Sequence, residues 1–247
     1  MALVSIIMPA YNSVSYIGMA IDSVINQEIS DWELIIVDDC SSDGTYGFIH
    51  ERYSSESRIK LHRLDKNSGS PAAPRNFGLK QALGRYIAFL DADDLWRPDK
   101  LSQQLYCMTK NGAAISCTAY SVIDINGERV GSFYPPERNN YSGLLKGNTI
   151  GCLTLMYDRN AFGELRFPKC GHEDYALWLS MLRTGNIVIG IQEELADYRI
   201  VSGSVSSNKL RMLSFFWNIY HNMEKFSLIR SAFYCLRYAM LNSRKYH

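Results

Sequence analysis

The chain has almost no net charge: 26 lysines and arginines stand against 25 aspartates and glutamates, a formal value of +1. That balance excludes bulk attraction to nucleic acid. No C-x-x-C pair is present. The six cysteines (Cys40, Cys107, Cys117, Cys152, Cys170, Cys235) are scattered, so neither a zinc nor a disulfide framework is supported, and the thiols read as reduced and mostly buried. Long apolar runs are missing too. The first charged side chain is Asp22, but Pro9, Asn12 and several serines break that opening stretch, and its apolar core is only Leu3 to Met8. It is a strand and a turn rather than a signal segment. Near the other end the longest uncharged run, Met212–Met223, holds twelve residues, too few for a bilayer that needs about 20. Internal repeats and low-complexity linkers are absent. What remains is an ordinary globular composition, 47% hydrophobic and 21% charged over 247 residues, enough for one large α/β domain or a core of about 200 residues with a tail.

The apolar pattern alternates strands with helices. Leu3–Met8 stops at Pro9 as a buried strand, and Ile17, Ala20, Ile21, Val24 and Ile25 recur at helical spacing behind Asn12 or Ser13 as N-cap. Glu33–Val37 is a second strand, Asp43 caps a short helix through about Tyr53, and Ile59–Leu64 is a third strand. A helix over Pro74–Leu83 closes at Gly84, and Tyr86–Leu90 is a fourth strand. Such alternation predicts a parallel sheet with right-handed crossovers over residues 1–110. Beyond the helix that follows Pro98 the pattern changes. Ala113–Ile123, an Asn126-Gly127 turn and Arg129–Phe133 read as a hairpin. Cys152–Tyr157 and Ile187–Ile191 read as further strands, with a helix over His172–Leu182 between them. The expected division is a domain over 1–207, made of a nucleotide-binding half (1–110) and a mixed-sheet half (111–207), plus a tail over 208–247.

Acids cluster where the predicted parallel strands end. Asp38 and Asp39 follow the second strand; Asp91, Asp93 and Asp94 follow the fourth. Ligands of open α/β sheets bind outside the carboxyl ends of the strands, so both clusters are expected to face one cleft. Carboxylates gathered there call for a hard divalent cation, magnesium or manganese, completed by water and substrate phosphates. Read alone, the same acids also suit helix caps and turns, Asp94 above all.

Five segments together resemble the inverting family 2 glycosyltransferases: Ser5-Ile6-Ile7-Met8-Pro9-Ala10-Tyr11-Asn12, Val37-Asp38-Asp39-Cys40-Ser41-Ser42-Asp43, Pro74-Arg75-Asn76-Phe77-Gly78, Phe89-Leu90-Asp91-Ala92-Asp93-Asp94 and His172-Glu173-Asp174. The similarity runs over roughly residues 3–205 and is greatest to bacterial enzymes that build lipid-linked surface polysaccharides such as O-antigen. It implies a GT-A fold, a Rossmann-like half fused to a mixed-sheet acceptor half. It implies a nucleotide-sugar site drawn from Pro9, Tyr11, Asn12, Asp38, Asp39, Arg75, Asp91, Ala92 and Asp93. Within that site Asp39 would accept from uracil N3, Asp91 lie by the ribose, Arg75 approach the base or diphosphate, and Asp93 hold Mn2+ or Mg2+. Asp174 would be the catalytic base, with Glu173 orienting it or the acceptor. The physics agrees: a carboxylate only accepts, which suits the uracil donor, and a departing diphosphate needs positive charge. Helix-dipole stabilisation is the other reading of Glu173-Asp174.

Three further residues stay open at this stage. Tyr11 suits uracil stacking or the core, Trp178 suits acceptor stacking or the core, and His172 suits a metal or a hydrogen-bonded bystander role. Tyr198-Arg199, before Val201–Asn208, resembles a segment that folds over the nucleotide in relatives. The Q-x-x-R-W motif of processive relatives is missing, which implies one sugar per encounter.

The tail carries seven basic residues against one acid, so it is +6 and residues 1–207 are −5. Arg230, Arg237 and Arg244 recur at seven-residue spacing, opposite Leu228, Ala232, Cys235 and Ala239. An amphipathic helical tail of this kind either contacts an anionic membrane or packs on the domain. The expected enzyme moves a hexose, glucose or galactose, from a UDP-sugar to a polyprenyl-diphosphate-linked saccharide at the cytoplasmic face of the bacterial inner membrane. A phosphohydrolase with Asp91 as nucleophile and a non-catalytic nucleotide-sugar-binding protein are the rival readings.

Overall fold

The computed structural model of the chain describes residues 2–200 and 209–242. Its first half follows the alternating pattern: β1 (Val4–Ala10), α1 (Ile17–Ile25), β2 (Trp32–Asp38), α2 (Thr45–Tyr53), β3 (Ile59–Arg63), α3 (Ala72–Gln81) and β4 (Tyr86–Phe89). The four strands are parallel, with β1 between β2 and β4. β1, β2 and β4 read as largely apolar runs because both faces are covered, whereas the edge strand β3 alternates Ile59 and Leu61 with Lys60 and His62 and is only partly buried. Ile7, Ile35, Val37, Ile87 and Phe89 join the core on the α3 side. Ile6, Met8, Leu34, Ile36, Ala88 and Leu90 join the core on the α1 side. Each fully buried side chain of this size contributes about 1.5–3 kcal/mol.

Local capping differs from expectation at two helices. Neither Asn12 nor Ser13 caps α1 with its side chain; the Ser13 carbonyl accepts from the N–H groups of Tyr16 and Ile17 at 3.0 and 2.9 Å. Asn12 has left-handed backbone (φ 46°) and turns its Oδ1 to the Ser42 N–H, 2.9 Å away. At α2 the N-cap position falls to Gly44, with left-handed backbone (φ 92°), while Asp43 just before it accepts from the N–H and hydroxyl of Thr45 at 3.0 and 2.6 Å. Gly78 lets α3 press on β1, since a Cβ there would meet Ile7 Cγ2 at 2.7 Å.

The second half comprises β5 (Leu95–Trp96), α4 (Lys100–Asn111), β6 (Ile115–Ile123), β7 (Arg129–Phe133), β8 (Arg138–Asn139), α5 (Tyr141–Leu144), β9 (Met156–Asp158), α6 (Arg159–Phe162), α7 (Glu173–Arg183) and β10 (Val188–Arg199). The sheet runs β3-β2-β1-β4-β9-β6-β10-β5, with β7 on β6 and β8 on β10. β9 lies antiparallel to both β4 and β6 and so joins the two halves in one sheet. The Asn126-Gly127 hairpin forms, Gly127 taking φ 87°. Two expectations are corrected. The predicted strand Cys152–Tyr157 begins as a 3-10 turn (Cys152–Thr154), and only Met156–Asp158 pairs. The predicted strand Ile187–Ile191 continues to Arg199, because register shifts on either side of Glu194, which pairs with Ala119, carry the intervening residues past β6.

Two helices, α8 (Lys209–Trp217) and α9 (Leu228–Asn242), flank a π-helical turn over Asn218–Met223. Phe216, Ile219 and Tyr220 are fully buried against α7. The Tyr175 hydroxyl lies 2.9 Å from that of Tyr220 and donates to the Leu144 carbonyl at 3.0 Å. Glu224 is bound by both Arg183 and Tyr141. Of the two sides expected for the tail, the one with Cys235 turns into the domain together with Ser231. All six cysteines are free thiols, with Cys117, Cys152 and Cys235 buried. No described helix is long and apolar enough to cross a membrane. Val201–Asn208 and Arg244 lie outside the described residues.

Candidate active site

Because β2, β1 and β4 are parallel neighbours, the segments leaving them emerge along one edge of the sheet. Asp39 follows β2, Tyr11 and Asn12 follow β1, and Asp91 lies two residues past β4. The Asp39 N–H donates to the Ala10 carbonyl at 2.8 Å, which seats that residue against β1. Its carboxylate accepts from the Ser68 N–H at 3.0 Å, the Ser68 hydroxyl at 2.8 Å and Asn67 at 3.3 Å. Tyr11 stands 52% exposed beside it, available for stacking. Pro9 is a buried member of β1 facing Val37. Asp38 points elsewhere: it accepts from Ser41 N–H and pairs with Arg63 Nε, at 3.1 and 3.2 Å. Together with Asn12 it shapes the turn after β2.

The Pro74-Arg75-Asn76 segment serves two elements at once. Arg75, buried in α3, places Nη2 2.5 Å from Asp91 Oδ1 and its guanidinium 5.3 Å from the centre of the Phe167 ring. Burial opposes its charge, yet the carboxylates of Asp91 and Asp174 more than offset that and raise its pKa. Asn76 makes a reciprocal pair with the Phe167 backbone, at 2.9 and 2.8 Å, fixing the segment that leads into α7. Lys169 ties the same segment to the Ser68 carbonyl at 3.2 Å. The loop that clamps Asp39 is therefore joined to the approach to Asp174.

Asp174 lies in the first turn of α7, with Oδ1 3.5 Å from Nδ1 of His172. Burial pushes its pKa up, but His172 and Arg75 prevail and hold it below the usual carboxylate value. Glu173 is buried beside it. Trp178 is 1% exposed and packs on Phe89 and Phe167 at ring distances of 5.8 and 5.9 Å, so it belongs to the core. At the other end of the cluster, burial and the charge of Asp91 push the Asp93 carboxyl up to about 6. Ala92 is buried in the α1-side core. Asp94, 1% exposed, accepts from the Arg199 N–H at 2.9 Å. Arg199 in turn donates to the Asp93 carbonyl at 2.9 Å, so it braces the acidic turn from beneath.

Asp91, Asp93, Arg75 and Asp174 thus share one electrostatic field. Ser68 and Lys169 carry no signal in the sequence because their partners lie 29 and 101 residues away; Arg199 is visible there as part of a segment over the nucleotide, but its contacts with Asp94 and Asp93, 105 and 106 residues away, are not. His172 is conspicuous in the sequence, but its contact with Asp174 depends on local geometry. Among the described residues no group of three or more His, Cys, Asp or Glu side chains forms a self-sufficient metal cage. The donor set nevertheless fits a hard divalent cation. An all-oxygen pair, Asp91 and Asp93, with burial and the charge of Asp91 working against a bare Asp93 carboxylate, matches the way such ions use one or two carboxylates and rely on substrate phosphates.

Comparison with known proteins adds independent findings. The family model described as glycosyl transferase family 2 matches residues 5–165. The chain is 41% identical to TuaG of Bacillus subtilis, whose name assigns it to teichuronic acid biosynthesis, over 96% of this chain and 94% of that one. It is 40% identical to WfgD of Escherichia coli, named UDP-Glc:alpha-D-GlcNAc-diphosphoundecaprenol beta-1,3-glucosyltransferase, over 99% of this chain and 95% of that one. The crystal structure of S. aureus TarS 1-349 with UDP-GlcNAc superposes with a TM-score of 0.72 at 24% identity, covering 89% of this chain and 65% of that one.

Proposed function

Since the chain belongs to glycosyl transferase family 2 and has the GT-A fold, we propose that it transfers glucose from UDP-glucose, with inversion, to a GlcNAc-diphosphate-polyprenol acceptor in bacterial surface-polysaccharide synthesis. Family membership sets aside the phosphohydrolase reading of Asp91. The choice of donor and acceptor is supported by the similarity to WfgD over nearly the whole of both chains. The observation that carries the chemistry is the buried guanidinium of Arg75 held 2.5 Å from Asp91, with the charges of Asp93 and Asp174 close enough to be influenced by it.

Asp39, held by Ser68 and Asn67, keeps lone-pair capacity to accept from uracil N3, since a carboxylate has about four acceptor sites. Tyr11 offers its exposed ring to the base. Asp91 orients the ribose while Arg75 fixes Asp91 and adds positive charge near the diphosphate. Asp93 would hold Mn2+ or Mg2+, which when bound disperses the negative charge growing on the leaving diphosphate. Asp174 acts from the opposite side of the sugar. It takes the proton of the acceptor hydroxyl, whose oxygen forms the new bond to the anomeric carbon as the bond to the diphosphate oxygen breaks and its electron pair leaves with UDP. The lowered pKa keeps Asp174 ionised and ready to accept, and Glu173 orients it or the acceptor. The donor half over 1–110, the acceptor half over 111–207 and the tail over 208–247 divide this work. Because the acceptor is lipid-linked, the enzyme works as a peripheral protein at the cytoplasmic face of the inner membrane, with the tail on an anionic surface.

The test is a donor panel with synthetic GlcNAc-diphosphate-lipid, with and without manganese, followed by NMR of the linkage. Release of UDP only when donor and acceptor are both present, and its loss by at least about 1000-fold in Asp174→Asn and in Asp93→Ala, are the expected results. Full turnover in either variant overturns the assignment.

A further inference from the structure

Helix α9 presents three faces. Ser231 and Cys235 are buried in the domain, and Tyr234 and Tyr238 pack beside them. On the opposite side Ile229, Phe233, Leu236 and Met240 stand 85%, 57%, 66% and 64% exposed. At 100° per residue those four fall within about 60° of arc, a continuous apolar stripe directed away from the protein. Contiguous exposed apolar surface of this kind marks an interaction site.

The flank of the stripe is basic. Arg230 lies along one side, its guanidinium 3.8 Å from the centre of the Phe226 ring, and Arg237 follows two turns later, donating to the Lys146 carbonyl at 3.4 Å. Between Lys225 and Asn242 the sequence holds no acid, and the preceding Glu224 is already bound by Arg183 and Tyr141. A second copy of the chain is a poor occupant. A face of 15 residues covers about 22 Å by 10 Å, well below the roughly 800 Å² per partner of a stable interface. Pairing two such helices would also bring like charges together. An anionic lipid surface supplies both an apolar interior and a negative rim.

The buried face leads to the active site. The Tyr238 ring lies 3.5 Å from that of Phe216, which lies 5.0 Å from the His172 ring, and His172 pairs with Asp174. We propose that α9 lies along an anionic bilayer, with Ile229, Phe233, Leu236 and Met240 among the upper acyl chains and Arg230 and Arg237 at the phosphates. Through Tyr238 and Phe216 it holds the start of α7 at a set height above the lipid. This rests on, and gives residues to, the membrane-linked acceptor of the proposed function.

The full chain is mixed with vesicles of phosphatidylcholine alone or with phosphatidylglycerol added, and binding is read by co-sedimentation. The expected result is at least about tenfold tighter binding to the anionic vesicles, weakening as salt rises. Phe233→Asp with Leu236→Asp should lower that binding at least about tenfold. Arg230→Gln with Arg237→Gln should lower it severalfold and flatten the salt dependence. Both sets should keep transfer to a water-soluble GlcNAc-diphosphate acceptor within about twofold, which also shows that they fold. Undiminished vesicle binding by the aspartate pair overturns the proposal, as does a wild-type dimer that the same pair converts to monomer. A wild-type chain that binds vesicles yet transfers nothing to the soluble acceptor counts against the function and leaves the docking intact.

Discussion

Arg75 and Lys100 are cations buried on opposite faces of the same sheet, and their company differs. Arg75, on the α3 side, has Asp91 at 2.5 Å, and its charge is held in place by Asp91 and Asp174. Lys100, on the α4 side, is wholly buried. Its Nζ donates to Gln104 Oε1 at 2.5 Å and lies 4.0 Å from the centre of the Trp96 ring. Burial pulls its pKa down to about 7. Gln104 passes the contact on to Ser116 and the Thr154 carbonyl, at 3.0 and 2.9 Å. A charge taken out of water persists where carboxylates accompany it and is surrendered where only neutral groups do. The face that must stabilise a leaving anion keeps a permanent cation. The scaffold face uses its amine as a hydrogen-bond donor.

The sharpest way to break this contrast is to replace both residues with an uncharged side chain of similar length. Arg75→Met should lower UDP release by at least about 1000-fold, and loss of a buried partner for Asp91 should cost about 3 kcal/mol of stability in thermal melts. Lys100→Met should keep turnover within about twofold and leave stability at pH 7 unchanged or raised by up to about 2 kcal/mol. Equal losses of activity in the two variants would end the comparison.

A second measurement uses pH. Between about 7, the folded value for Lys100, and its ordinary 10.5, the unfolded chain binds a proton that the folded chain lacks. Stability from this group therefore rises with pH across that window, by on the order of 1 kcal/mol per unit. Urea titrations should show the slope in the wild type relative to Lys100→Met. A parallel response in both proteins would mean that Lys100 stays charged in the fold.

The smallest effect concerns the partner of the base. His172 helps to hold the Asp174 pKa down, so His172→Gln should raise it and move the acid limb of kcat/KM to higher pH. Activity should fall a few-fold at low pH and recover as pH rises, because Asp174 must be ionised to accept a proton. A uniform loss at every pH would instead mark a structural role for the imidazole.

The elements legible from sequence were those with a local signal. Val4–Ala10, Trp32–Asp38 and Tyr86–Phe89 are apolar on both faces, and the Asn126-Gly127 turn carries its own chemistry. β5 escaped notice because two residues hold no period, and it exists only by pairing with Ala196 and Asp197. The extension of β10 was hidden by Gln192-Glu193-Glu194, which interrupt the apolar run while the backbone continues. Trp178 shows the same limit from the other side. Its helical spacing from Asp174 was correct, but Phe89 and Phe167, far away in the chain, claim its ring.

The order of residues alone determined that acids close β2 and β4 and that an acidic pair opens α7, because strand and helix periods are properties of neighbours. Only the folded chain decided which of those acids meets a cation. Arg75 reaches Asp91, Arg63 reaches Asp38, and Ser68 occupies Asp39. Electrostatic energy depends on distance and on shared exclusion from water, and both are set by segments that the sequence keeps apart.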